Sequence, residues 1–344
     1  MKLLVGSLMI ISSLNISLLV LLACFSTILL TYLVKKLASR YRIVNEPSER
    51  GLHSTSTPRA GGLAIIIVWY IGITFFYIKG VIDDNLYPAL MSGAILAVVG
   101  LVDDIVEVKP ITRLIIQFIV VILAFYFLGG LRKPITFGID ILTVPFIVYP
   151  IAIVGMVWFI NLFNFMDGAD GFASIEAILV GLVLYIFTGS LELLLLASSV
   201  LGFLYWNWPK AKIFMGDVGS TQIGFILVVL GIHYHNTLDF SIFNWMMITA
   251  PFWFDASLTL FRRWRNREQL SRPHRKHAYQ RFVLAGSSHE KLDIALIVVN
   301  VIIFLLILVY REWDFMKIPV YFITLVFLYS LVRRIDKLFP FNSE

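Results

Sequence analysis

Apolar stretches broken by short polar ones run the length of the chain. Eleven of them have the length and character of helices that cross a hydrocarbon layer of about 30 Å. They centre on residues 14–34, 62–77, 90–101, 114–128, 144–163, 172–187, 193–205, 223–232, 245–260, 292–308 and 318–331. Several are short at their cores and extend into flanking polar residues. The first run, counted from Leu3, is too long for one upright helix, so its leading residues are expected at the outer interface. Gly61-Gly62 and Pro88 mark helix starts, and Pro251 falls within the ninth run, where a kink is expected. Residues 129–143 carry Gly, Pro and alternating Thr, Phe and Ile, a pattern that predicts a short hairpin. No internal repeat, low-complexity tract or long polar linker divides the chain. The expected fold class is an all-α integral membrane protein, a polytopic bundle of about eleven helices forming one domain over residues 1–344.

Composition agrees with the pattern: 59% of the 344 residues are hydrophobic, and the mean hydropathy is +0.87. The net charge of +6 would admit a nucleic-acid partner, but the placement of the cations argues otherwise. With the first helix ending inside at Lys35 and Lys36, alternation puts 22 of the 28 Lys and Arg inside and 6 outside. That is the positive-inside bias of a membrane protein. It predicts an outer N-terminus and a cytoplasmic C-terminus, with membrane lipids and no nucleic acid as partners. Cys24 is the one cysteine, so no intramolecular disulfide forms. Leu21-Leu22-Ala23-Cys24 looks like a lipoprotein processing site, yet the apolar run continues to Val34, as in an uncleaved first span.

The same topology places five polar clusters on the cytoplasmic side. They are residues 51–62 (GLHSTSTPRAGG), 100–104 (GLVDD), 161–171 (NLFNFMDGADG), 214–220 (FMGDVGS) and 273–281 (PHRKHAYQR). Five such clusters on one face predict one assembled site. Asp103 and Asp104 are adjacent on a helix and point about 100° apart, which predicts one carboxylate facing the reacting group and the other braced. Asn161, Asn164, Asp167 and Asp170 recur every third residue, so a continuing helical turn would gather them near one face. Hard oxygen ligands of this kind suit Mg²⁺ or Mn²⁺ shared with substrate phosphates. Asp217, between Gly216 and Val218, joins them as a candidate ligand at a helix start, where backbone amides favour anions. His274, Arg275, Lys276, His277 and Arg281 could hold a diphosphate or anchor lipid headgroups, and the two histidines favour the first role. Glu176 and Asp255 are intramembrane acids expected to brace neighbouring helices near the site.

Taken in order, these motifs resemble the polyprenyl-phosphate N-acetylhexosamine-1-phosphate transferases, glycosyltransferase family 4. The residues that carry the likeness are Pro58-Arg59 before Gly61-Gly62, Asp103-Asp104, Asn161-x-x-Asn164-x-x-Asp167-Gly-x-Asp170-Gly, Met215-Gly-Asp217-Val-Gly-Ser220 and the late His/Arg loop. The resemblance implies transfer of a sugar 1-phosphate from a UDP-N-acetylhexosamine to undecaprenyl phosphate. UMP is released, with Mg²⁺ at the cytoplasmic face of a bacterial inner membrane. It implies Asn164 and Asp217 as metal-associated, Asp103, Asp104 and Asp167 as catalytic, and Asp170 as a uridine contact. His53, Arg59, His274, Arg275, His277 and Arg281 are the further expected substrate contacts. The late loop departs from the His-His-His pattern of the phospho-MurNAc-pentapeptide enzymes and resembles members that begin O-antigen or other surface glycans. A second copy of the chain is left open as a partner.

The residues support this chemistry without the family. A phosphomonoester has a second pKa near 6, so the lipid phosphate is largely dianionic at neutral pH. Cations that offset repulsion between two anions then matter more than a strong base. Three rival readings remain: a membrane prenyltransferase, whose Asp motifs are spaced by four rather than three, a CDP-alcohol phosphatidyltransferase, and a transporter, whose ionisable residues would lie nearer the midplane.

Overall fold

The computed structural model describes residues 16–46, 52–53, 55–136, 140–142, 145–238, 240–270, 272, 274–312 and 316–342. Where they are described, the apolar runs fall on helices; the leading residues of the first run, 3–15, lie outside the described residues. In chain order these are α1 (Ile16–Arg40), α2 (Gly62–Ile78), α3 (Leu86–Ser92), α4 (Ala94–Ile105), α5 (Pro110–Phe127), α6 (Pro145–Phe165) and α7 (Phe172–Thr188). They continue with α8 (Leu191–Asn207), α9 (Asp217–Thr237), α10 (Ile242–Ile248), α11 (Ala250–Arg265), α12 (Ala278–Leu284), α13 (His289–Glu312) and α14 (Lys317–Leu338). Among the described residues, seven helical segments are long and apolar enough to cross a membrane, counting Leu86–Ile105 as one, and α2, α7 and α8 are shorter apolar helices.

α9 is the axis of the bundle and is enclosed almost throughout its length. It packs against α6, α4 and α2, while α1 and α7 lie along α8, and α13 joins α7 to α14. The outer helices turn large apolar side chains outward: Leu21 on α1 and Phe322 on α14 are each 66% exposed. In water that surface would be costly; in acyl chains it is matched.

Two expectations are refined. Pro251 does not kink one continuous helix: the chain breaks into α10 and α11 at Thr249, and Pro251 sits in the first turn of α11, where its missing N–H costs nothing. The hairpin expected over residues 129–143 appears as β3 (Ile135–Thr136) against β4 (Asp140–Leu142), antiparallel with an irregular register, while Thr143 lies outside the described residues. A second short antiparallel pair, β1 (Val44–Asn45) with β2 (Thr57–Pro58), folds the polar arm after α1 back over the bundle. From β2 the chain continues as a backbone pairing with residues 213–215. Phe214 N–H donates to Pro58 O, and Gly61 and Gly62 donate to Phe214 O and Met215 O.

Candidate active site

That pairing places Gly62 against Gly219, with room for neither to carry a side chain. Gly100 of α4 approaches the same turn so closely that a Cβ there would lie 2.7 Å from Val218 Cα. Three glycines thus let α2 and α4 converge on the start of α9. Gly216 precedes that start at φ +76°, a conformation glycine adopts freely.

At this junction the two adjacent aspartates point apart. Asp104 accepts from the backbone N–H groups of Asp217 at 3.0 Å and Val218 at 3.1 Å, capping α9, and is paired with Arg59, whose Nη2 lies 2.9 Å from Oδ1. Asp103 accepts from Val108 N–H at 2.7 Å and from Arg113 Nη1 at 2.6 Å. The same Arg113 nitrogen donates to Asp217 Oδ2 at 2.7 Å, so one guanidinium joins two carboxylates. Arg59 also donates to Asp103 O at 2.8 Å, tying the β2 strand end to α4.

Asp104 and Asp217 open on a cleft of about 220 Å³ that His53, Arg59, Asn164, Asp167, Asn207, Phe214 and Gln280 also line. Asp167 lies in the turn after α6, outside the helices. Burial pushes its carboxyl well above the usual range, and the Asp217, Asp104 and Asp170 charges push it further. Repulsion among these acids is what a bound cation would relieve, and with Asn164 they offer oxygen donors, a set that fits Mg²⁺ or Mn²⁺.

Asp170 does not continue the row of Asn164 and Asp167. α6 ends at Phe165, the segment turns, and Gly171 at φ +74° starts α7. Asp170 is accordingly not among the cleft-lining residues, although it adjoins His53, which is. Its Oδ2 accepts from Ala211 N–H at 3.2 Å, and His53 and His289 flank it. Asn161 is also turned aside, donating to Gln117 Oε1 at 2.7 Å and so fastening α6 to α5. Asn207 holds the turn from below: its Oδ1 accepts from Gly171 N–H and Ser174 Oγ, and its Nδ2 donates to Ile213 O.

The late loop is more structural than its charges suggest. Arg281 is 1% exposed. Its Nη1 donates to Asp336 Oδ1 at 2.7 Å and to Phe339 O at 2.9 Å, and its Nε to Lys276 O, which binds the loop to the end of α14. Lys276 donates to Glu268 at 2.8 Å. His277 is buried at the start of α12, and neither it nor His274, Arg275 or Arg281 is among the cleft-lining residues; Gln280 is the loop's contribution. Burial lowers the His277 imidazole to about 3, with Arg263 and Arg281 adding to the effect. Asp255 caps α12 by accepting from Ala278 N–H at 2.8 Å and Tyr279 N–H at 3.1 Å. Glu176 accepts from Asn300 at 2.7 Å, joining α7 to α13. Pro273 lies outside the described residues. Arg113, Asn207, Gln280 and His289 escaped the sequence reading: Arg113, Asn207 and His289 stand outside the motifs that carry the pattern, and Gln280, inside the late loop, was passed over because it carries no charge.

A helical membrane bundle with a cleft lined by Asp104, Asp167 and Asp217 is the class of protein these observations define. The family model for glycosyl transferase family 4 matches residues 86–235. A probable undecaprenyl-phosphate N-acetylglucosaminyl 1-phosphate transferase of Bacillus subtilis is 32% identical over 284 residues, covering 77% of this chain and 76% of that protein. A decaprenyl-phosphate N-acetylglucosaminephosphotransferase of Mycobacterium leprae is 28% identical over 322 residues, 78% of this chain and 77% of that protein. A phospho-N-acetylmuramoyl-pentapeptide-transferase of Streptococcus pneumoniae is 29% identical over 198 residues, 52% of this chain and 60% of that protein. The chain belongs to the polyprenyl-phosphate hexosamine-1-phosphate transferase family.

Proposed function

We propose that this chain transfers N-acetylhexosamine 1-phosphate from a UDP-sugar to undecaprenyl phosphate, releasing UMP, as the first membrane step of O-antigen or another surface polysaccharide. N-Acetylglucosamine is the sugar favoured by the names of the Bacillus and Mycobacterium relatives. The observation that carries the reading is the convergence of Asp104, Asn164, Asp167, Asp217 and Arg59 on one cleft. In the proposed topology eleven spans cross a bacterial inner membrane, the N-terminus lies outside, and the cleft opens to the cytoplasm.

In the reaction an oxygen of the lipid phosphate bonds to the β-phosphorus of the UDP-sugar. The bridging P–O bond breaks, and UMP leaves with its electron pair. The acceptor is already ionised, so the protein's task is placement and charge balance. Asn164 and Asp217, with Asp167 beside them, would hold Mg²⁺ or Mn²⁺, which offsets the charge on the diphosphate and the leaving UMP. Asp104 keeps the start of α9, and with it the Asp217 side chain, in place. Arg113 holds Asp103 and Asp217 at a fixed separation. Purified protein should release UMP from UDP-N-acetylglucosamine only when undecaprenyl phosphate and Mg²⁺ are both present. Silence with every member of a UDP-N-acetylhexosamine panel would overturn the reading.

A further inference from the structure

We propose that Gln117 and Asn161 form a positioning pair that sets the register of Asn164 against Asp217, and with it the affinity of the cleft for a divalent cation. The inference rests on the metal assignment made under the transferase reading. Neither Gln117 nor Asn161 is among the cleft-lining residues, so both act through other side chains.

The pair is built with defined polarity. Asn161 Nδ2 donates to Val157 O at 2.8 Å, one turn back on α6, which fixes the orientation of the amide. Its other proton goes to Gln117 Oε1 at 2.7 Å, and Gln117 Nε2 lies 3.4 Å from Asn161 Oδ1, so the two amides meet in both directions. Gln117 is 5% exposed. Away from water a contact of this kind is strongly directional, and separating the partners leaves buried amide groups unpaired.

The pair stands one helical turn from each side of the cleft. On α5, Gln117 is four residues beyond Arg113, whose Nη1 donates to Asp217 Oδ2 at 2.7 Å. On α6, Asn164 is three residues beyond Asn161 and lines the cleft. Helix α5 therefore serves as a ruler: one turn of it holds Asp217, and the next holds the helix that carries Asn164.

Apolar packing cannot set this register alone. A Cβ built on Gly224 of α9 would lie 3.0 Å from Phe163 Cβ and 3.1 Å from Ile160 Cα, so α9 rests directly on α6. That contact determines how near the two helices come, but apolar attraction is non-directional and resists sliding along the helix axis weakly. Binding groups have to be held within about 0.5 Å of their productive positions. The amide pair supplies the directional restraint.

The test uses the full chain in detergent, stripped with a chelator and titrated with Mn²⁺, the free ion being read by electron paramagnetic resonance. Unfolding temperature is measured on the same samples, and no substrate is present. Asp217→Asn should abolish the binding seen in the parent, which assigns the ion to the cleft. Gln117→Leu should raise the Mn²⁺ dissociation constant about 10- to 100-fold, as loss of a group that orients a metal ligand does. The double variant Gln117→Leu with Asn161→Leu separates positioning from stability. Replacing both partners by apolar groups of similar shape is nearly neutral for folding, so its unfolding temperature should stay near the parent's while Mn²⁺ affinity falls as in the single variant. Parent-like Mn²⁺ affinity in the leucine variants would overturn the proposal and leave the pair as a helix fastening. Should the double variant not fold, the affinity of Gln117→Leu per folded molecule decides the matter. Absence of Mn²⁺ binding by the parent, or parent-like binding by Asp217→Asn, would instead bring down the metal assignment itself, and this inference with it.

Discussion

Asp104 and Asp217 are joined through the backbone: the carboxylate that ends α4 accepts the N–H of the residue that begins α9, at 3.0 Å. The position of the Asp217 side chain in the cleft therefore depends on Asp104. Asp104→Ala removes a helix cap worth about 0.5–2 kcal/mol and strips Arg59 of its partner. It should lower the unfolding temperature in detergent and abolish transfer. Asp104→Asn keeps one acceptor oxygen, so it should lose transfer with a smaller loss of stability. A parent-like unfolding temperature for Asp104→Ala would show that the cap is dispensable.

Arg113 donates to Asp103 and Asp217 from one nitrogen, at 2.6 and 2.7 Å, and so competes with any cation for Asp217 Oδ2. Arg113→Ala frees that oxygen but also frees the side chains to move. A lost charge-assisted contact costs about 1.5–3 kcal/mol, roughly one to two decades in turnover. Turnover should fall by that amount while the Mg²⁺ concentration giving half-maximal rate decreases. A Mg²⁺ curve that keeps its midpoint would mean that Arg113 does not compete for the site.

Arg281 and Arg275 should part company. Losing a charge-assisted contact costs about 1.5–3 kcal/mol, and Arg281, with almost no exposure, is held by Asp336, which Arg262 also pairs. Arg281→Met should therefore reduce the amount of folded protein while leaving the KM for UDP-sugar per folded molecule unchanged. Arg275, which is half-buried, tests the substrate role: Arg275→Ala should raise KM or lower kcat at normal abundance. Normal kinetics for both variants would remove the loop's cations from substrate binding.

The difference between these two arginines shows where sequence was sufficient. Apolar runs specify helices because each run must bury its backbone hydrogen bonds in lipid, and over their described residues the runs proved helical, with breaks at Gly93 and Thr249. Asn164, Asp167 and Asp217 were legible as neighbours because polar, oxygen-bearing side chains clustered on one predicted membrane face. Asp170 was misplaced by extending the helical spacing past Phe165, where Gly168 and Gly171 let the chain turn instead. Arg113 reaches Asp217 from 104 positions away, and His289 reaches Asp170 from 119. No local pattern encodes such pairs. Cation density suggested that Arg281 binds substrate; its burial against Asp336 is a tertiary fact that cation density does not encode.

Acid should destabilise the protein through the histidines of the late loop. Burial lowers His274 and His277 to about 3, with His277 and Arg263 repelling charge on the first, and Arg263 and Arg281 repelling it on the second. In the unfolded chain both titrate near 6.5. Below that value the unfolded state binds protons that the folded state refuses, so stability is complete above about pH 6.5 and falls as the pH drops towards 3. Other groups titrate over the same range, so the informative quantity is the difference between parent and variant. The unfolding temperature in detergent should decline from about pH 7 to about pH 5.5, and His277→Gln, which has no proton to refuse, should decline less steeply. Parallel curves for parent and variant would show that His277 is not held neutral in the fold.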